Sequence, residues 1–175
     1  MDIASEEKKC NNQEQTDAVN PKHDCLAIRY AEISDLKEVL EMYMAALSEL
    51  KHGVLEPNVD KCADEVIFSW SQAPCVLITS NEDIIGFAGL KTVVPAYTDK
   101  NIISEYMFYI KPKHRSVRAA RMLAEECKKI ADRFGLPLFF THFLNGISVD
   151  KKENFLRRWG FKPFGVFCTY GVNNG

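Results

Sequence analysis

The chain has 175 residues, enough for one domain that buries roughly 70% of its unfolded surface. Apolar residues at 46% and charged residues at 26% are ordinary globular values. A formal net charge of −2 gives no general attraction to nucleic acid or to a membrane surface, so neither is expected as a partner.

Met1 to Asp24 is rich in Glu, Lys, Asn and Gln and holds few large apolar residues. It is expected to be a mobile polar leader, residues 1–24, ahead of a single domain spanning residues 25–175. The leader has no apolar h-region, and no apolar run approaches the roughly 18 residues that span a bilayer. A soluble, cytoplasmic protein is therefore expected. Six cysteines, at 10, 25, 62, 75, 127 and 168, form no C-x-x-C pair and no His spacing suited to zinc, so no metal is expected. Cys75, Cys127 and Cys168 sit in apolar patterns and read as small core residues. Reduced thiols follow from the missing signal, and Cys25 or Cys62 is a weak alternative as a nucleophile.

Leu26 to Tyr30 reads as a short strand. A helix then starts at Ser34-Asp35, with Glu38 in its first turn and Leu36, Val39, Leu40, Tyr43, Leu47 and Leu50 as its buried stripe. Gly53 and Pro57 mark a loop holding His52 and Glu56. Asp60 to Trp70 predicts a second helix with Val66, Ile67 and Trp70 inward. Cys75 to Thr79, the turn Asn81-Glu-Asp, and Ile84 to Val94 form a predicted hairpin. Within it, Gly86 or Gly89 marks a bulge or a close ligand approach.

The period changes across Ser104 to Phe134. Ile102 to Ile110 is β-branched and aromatic, a buried strand that Pro112 terminates. Ala119, Ala120, Leu123, Cys127, Ile130, Ala131 and Phe134 then recur at three- and four-residue spacing, one face of a helix that Gly135 closes. Leu136 to Phe143 is a further strand, Asn145-Gly146 a turn, Asp150 to Trp159 the last helix, and Phe161 to Val172 the final strand or two. The order predicts a mixed α/β sheet with helices on both faces and a right-handed parallel crossover.

An abrupt strand-to-helix turn has a chemical use. The first helical amides lack partners and the macrodipole makes that end positive, so it suits phosphate or pyrophosphate. Arg115, Arg118 and Arg121 add cations there, and Ser116, Ala119 and Ala120 keep the turn small. A helix that merely starts with solvated arginines is an equally good reading of this stretch alone.

Ile110-Lys-Pro-Lys-His-Arg-Ser-Val-Arg-Ala-Ala resembles the Q/R-x-x-G-x-G/A signature of the GNAT-superfamily N-acetyltransferases. It is similar to phage and bacterial members with an R-x-x-R-A-A turn, with Arg118 where the family usually has glycine. Glu153-Asn-Phe-Leu-Arg-Arg-Trp-Gly-Phe-Lys-Pro-Phe-Gly resembles the family's closing helix and Gly-Phe. Together these cover nearly the whole chain from Leu26. The resemblance implies a mostly antiparallel sheet of about six to seven strands, with acetyl-CoA as acetyl donor lying between two splayed parallel strands. It also implies an amine acceptor, with a homodimer left open. Tyr109, Ile110 and Lys111 would meet the cofactor along the strand, and Arg115, Ser116, Val117, Arg118, Ala119, Ala120 and Arg121 at the turn. Candidate catalytic residues are Glu105 and His142 as bases and Tyr109 as proton donor, beside Tyr106 and Tyr170. Leu156 replaces the tyrosine that many members carry four residues before the Gly of Gly-Phe. That replacement keeps open a second function, a GNAT-fold binding module acting through a partner.

Overall fold

The computed structural model describes residues 25–49, 57–140 and 149–162. The expectations for the leader, His52, Glu56, His142, the Asn145-Gly146 turn, Cys168, Tyr170 and the strand segment beyond Lys162 lie outside them.

Five strands form one sheet in chain order: β1 (Leu26–Tyr30), β2 (Val76–Ser80), β3 (Asp83–Val93), β4 (Ile102–Ile110) and β5 (Leu138–Phe140). Every neighbouring pair is antiparallel except β4 and β5, which run parallel from Ile103↔Leu138 to Glu105↔Phe140. The mixed α/β sheet expected from the sequence is present, with five strands among the described residues rather than six or seven. Every residue of β2 and of β4 is buried. A strand covered on both faces loses the alternating pattern of a half-exposed one. That is why Ile102 to Ile110 reads as an apolar and aromatic run interrupted only by Ser104 and Glu105.

Helices supply both covers. α3 (Val117–Phe134) lays Ala119, Leu123, Cys127 and Ile130 on one face, against Ile78, Leu90, Ile103 and Phe108. α1 (Leu36–Glu49) and α2 (Val59–Trp70) cover the other face. There Val39, Met42, Ala46 and Val66 meet Leu77, Phe87, Tyr106 and Tyr109. Each large aliphatic side chain so buried contributes roughly 1.5–3 kcal/mol. α4 (Val149–Arg158) adds Phe155, packed with Trp159 against the α3 face.

Local chemistry sets the element ends. Asn58 caps α2 by accepting from the Lys61 amide at 3.0 Å, and Gly135 ends α3 in the left-handed region at φ 65°. Asn81 and Glu82 take positive φ in the two-residue turn joining β2 to β3.

Two buried-face expectations need correction. Ile67 is 49% exposed, because α2 turns Cys62, Val66 and Ser69 inward and the next residue lies about 100° round the helix. Phe134, the last residue of α3 before Gly135, is 47% exposed. Met42 and Ala46, absent from the expected stripe of α1, are buried instead.

The glycines of β3 are explained by close neighbours within the protein. A Cβ on Gly86 would lie 2.5 Å from the Tyr109 carbonyl oxygen, and one on Gly89 would overlap the Tyr106 ring. Beside Gly89 the register shifts, Gly89 facing Met107 and Leu90 facing Glu105. Tyr106 is therefore the extra residue of a β-bulge in β4.

Candidate functional site

β4 leaves the sheet at Ile110, where the Lys111 amide donates to the Ile85 carbonyl at 2.8 Å. Lys111 is extended (ψ 133°), as a residue before proline must be, and Pro112–His114 makes one 3-10 turn. Ser116 is also extended (φ −145°, ψ 155°) and is the N-cap of α3. Its hydroxyl oxygen accepts from the Ala119 amide at 3.1 Å, and its carbonyl accepts from the Ala120 amide at 3.1 Å. Among the described residues the Val117 and Arg118 amides have no acceptor. Those two donors, at the positive end of an 18-residue helix, are what the turn leaves open for an anion.

Arg118 lies inside the first turn of α3, and the only non-glycine residues with positive φ among those described are Asn81 and Glu82. An arginine at the family's usual glycine position is therefore unstrained here. Ala119 and Ala120 turn their methyl groups into the core beneath the helix, so their smallness serves packing. Arg121 is exposed, 3.8 Å from Glu125. Together with Arg118 and Ile28 it lines a shallow cleft of about 380 Å³.

Arg115 is held on three sides. Its Nε donates to the Ile110 carbonyl at 2.9 Å, and its terminal nitrogen donates to Glu49 Oε2 at 2.5 Å. The Tyr109 ring lies 5.6 Å away. Tyr109 in turn donates its hydroxyl to Glu49 Oε1 at 3.1 Å. Burial, followed by the Glu49 carboxylate, pushes the Tyr109 hydroxyl above its ordinary pKa, with Arg115 pulling the other way. Lys111 pairs with Glu38 at 2.9 Å. Glu38 and Glu49 stand 11 residues apart on α1, about three helical turns, so one side of that helix presents both carboxylates to the strand-to-helix turn. Sequence reasoning missed both acids as partners of the turn. The 11-residue spacing was the available signal.

Glu105 is fully buried, paired in register with Leu90 on one side and Phe140 on the other. Alternation along β4 puts it on the α3 face with Ile103. Its charge reaches Cys127 of α3, whose thiol is raised first by burial and then by Glu105. Tyr106 points the other way, its ring edge-on to Tyr43 with centroids 6.0 Å apart. Burial raises the hydroxyls of both tyrosines, Tyr43 to about 12. Cys62 is buried and its thiol is raised by that burial, which disfavours a thiolate nucleophile. Cys25, Cys62, Cys75 and Cys127 are all free thiols. Among the described residues no group of His, Cys, Asp and Glu could hold a metal, and no helix is long and apolar enough to cross a membrane.

Solved structures share this architecture. A predicted acetyltransferase from Clostridium acetobutylicum, solved with acetyl-CoA, superposes with a TM-score of 0.64 at 14% identity, covering 83% of this chain and 96% of that one. A ribosomal-protein-alanine N-acetyltransferase from Brucella melitensis biovar Abortus 2308 gives 0.61 at 13% identity, covering 83% and 98%. AAC(6')-Iy, in complex with the bisubstrate analog CoA-S-monomethyl-acetylneamine, gives 0.60 at 13% identity, covering 83% and 96%. Likenesses at such identity establish the acetyltransferase fold. No curated protein matches the sequence at a significant level. Residues 36–161 match the model of the Acetyltransferase (GNAT) family, and the chain belongs to that family.

Proposed function

We propose that the protein moves an acetyl group from acetyl-CoA to a primary amine, by direct transfer with both substrates bound, in the cytoplasm. The observation that carries this reading is the open first turn of α3, set at the end of β4 in a chain of the GNAT family. The residues fit the donor. Two unengaged amides, an extended Ser116 and an unstrained Arg118 make a turn that a pyrophosphate can approach. A solved relative of the same fold carries acetyl-CoA, and another carries an analog joining CoA to an aminoglycoside fragment, which favours direct transfer over an acyl-enzyme.

Acetyl-CoA supplies an activated thioester when bound. The Val117 and Arg118 amides and the Arg115 and Arg118 side chains hold its phosphates, and the backbone of Tyr109, Ile110 and Lys111 borders the rest. Holding the two reactants in line supplies most of the rate, as an effective concentration. The amine must lose a proton, and Glu105 is the carboxylate assigned to take it, directly or through water. The raised hydroxyl of Tyr109 stays protonated at neutral pH and is the group assigned to return a proton to the departing thiolate.

Thiol release from acetyl-CoA over a panel of small amines, polyamines and peptide N-termini tests this function. Glu105→Gln keeps the size and hydrogen bonding of the side chain but not the base. It should lower turnover by roughly 10²–10⁴-fold while coenzyme A still binds. Wild-type turnover in that variant would remove Glu105 from the mechanism.

A further inference from the structure

Arg115 sits at the head of the phosphate-binding turn, yet its terminal guanidinium nitrogen is already occupied by a carboxylate from a distant helix. Glu49 reaches across from α1, its Oε2 accepting from Arg115 and its Oε1 from the Tyr109 hydroxyl.

We infer that Glu49 is an internal stand-in for phosphate: its carboxylate occupies Arg115 in the free protein and is exchanged for the pyrophosphate when acetyl-CoA binds. The inference rests on the acetyl-CoA reading given above. The anchoring of Arg115 suits an exchange. The Nε bond to the Ile110 carbonyl and the Tyr109 ring hold the side chain at the turn, so only its outer end must change partner. A guanidinium nitrogen that donates to a carboxylate oxygen can donate equally to a phosphate oxygen, which carries more charge. The pair is only partly shielded, with about a third of Arg115 and a quarter of Glu49 open to solvent, so an incoming anion can reach it. Once displaced, Glu49 loses its cation. That loss weakens cofactor binding, so Glu49 sets the affinity. Lys111 and Glu38, at the other end of the same helix side, form a second and more exposed pair of this kind.

The test is a calorimetric cycle with coenzyme A at low salt on wild type, Glu49→Gln, Arg115→Ala and the double variant. Glu49→Ala serves as a second removal, and melting curves confirm that each variant is folded. Glu49→Gln should bind coenzyme A about three- to fivefold more tightly than wild type, the scale of one partly exposed ion pair. In the Arg115→Ala background the same substitution should change nothing. Wild-type binding that Glu49→Gln leaves unaltered or weakens, or a gain that persists without Arg115, overturns the exchange alone. No coenzyme A binding by wild type or any variant overturns the acetyl-CoA reading itself, and the exchange with it.

Discussion

The two faces of the sheet are built from different chemistry. Under α3 the buried side chains are aliphatic or small apart from Phe108 and Glu105, with Ala119, Ala120, Ala124 and Ala131 letting the helix sit close on Ile78, Leu90 and Ile103. Under α1 and α2 the core carries Tyr43, Tyr106, Tyr109 and Trp70, and buried polar atoms occur within it. Ser69 Oγ, Trp70 Nε1 and the Tyr106 hydroxyl are buried without a hydrogen-bond partner among the described residues. Trp70 Nε1 lies near the Tyr106 hydroxyl but outside bonding geometry. Ion pairs also gather on this side, joining Glu38, Glu49 and Glu65 to Lys111, Arg115 and Lys91. A dry face can be optimised for packing alone, whereas a face with unmet polar groups keeps stability in reserve for something else. The α3 face packs aliphatic side chains around one buried acid, Glu105, while the α1–α2 face carries the tyrosines and the ion pairs that reach the turn.

Substitutions on the two faces should therefore differ in size. Leu123 is fully buried beneath α3, and Leu123→Ala should cost about 2–5 kcal/mol, read as a fall in urea midpoint with unchanged slope. A cost under about 1 kcal/mol would mean that the α3 face is loosely packed. Tyr106→Phe removes only a hydroxyl with no partner, so its effect on stability should lie within about 1 kcal/mol, in the stabilising direction if any. A loss well beyond that would reveal a partner for the hydroxyl and erase the contrast between the faces.

The smallest effect belongs to the rim. Asp35 accepts from Arg29 at 2.6 and 2.8 Å and from the Glu32 amide at 2.8 Å. Arg29 first, then the Glu32 amide, hold its carboxyl below the ordinary 3.8 against the opposing effect of burial. A depressed folded value makes the stabilisation complete above the unfolded pKa and lost as pH falls through the folded one. Asp35→Asn should thus lower the melting temperature slightly at pH 7 and remove part of its decline below about pH 4. Parallel melting curves for both proteins across that range would detach Asp35 from acid unfolding.

Much of this architecture was legible because periodicity is local. Ile102 to Ile110, the α3 stripe apart from Phe134, and the Gly135 end follow from neighbours within one turn or one pleat, and the structure keeps them. Ile67 was misjudged because Val66, Ile67 and Phe68 are consecutive apolar residues, and a helix can bury only part of such a run. Glu49 was illegible for a different reason. Its partners Tyr109 and Arg115 lie 60 and 66 residues away, with α2, β2 and β3 in between, and the 11-residue spacing from Glu38 marks a shared helix side without saying what that side faces. The residue types at the turn suit a phosphate, but which amides stay open depends on how Ser116 uses its own hydroxyl and carbonyl.

The most direct test of the account is the affinity of Val117→Pro for coenzyme A. Val117 is the first helical residue and Ser116 before it is already extended, so proline fits there without strain and deletes one open amide. Calorimetry should show affinity falling about tenfold, the scale of one lost hydrogen bond to a charged group, with an unchanged melting temperature. Full affinity in the folded variant would place the phosphates away from the α3 turn and contradict the assignment on which the function rests.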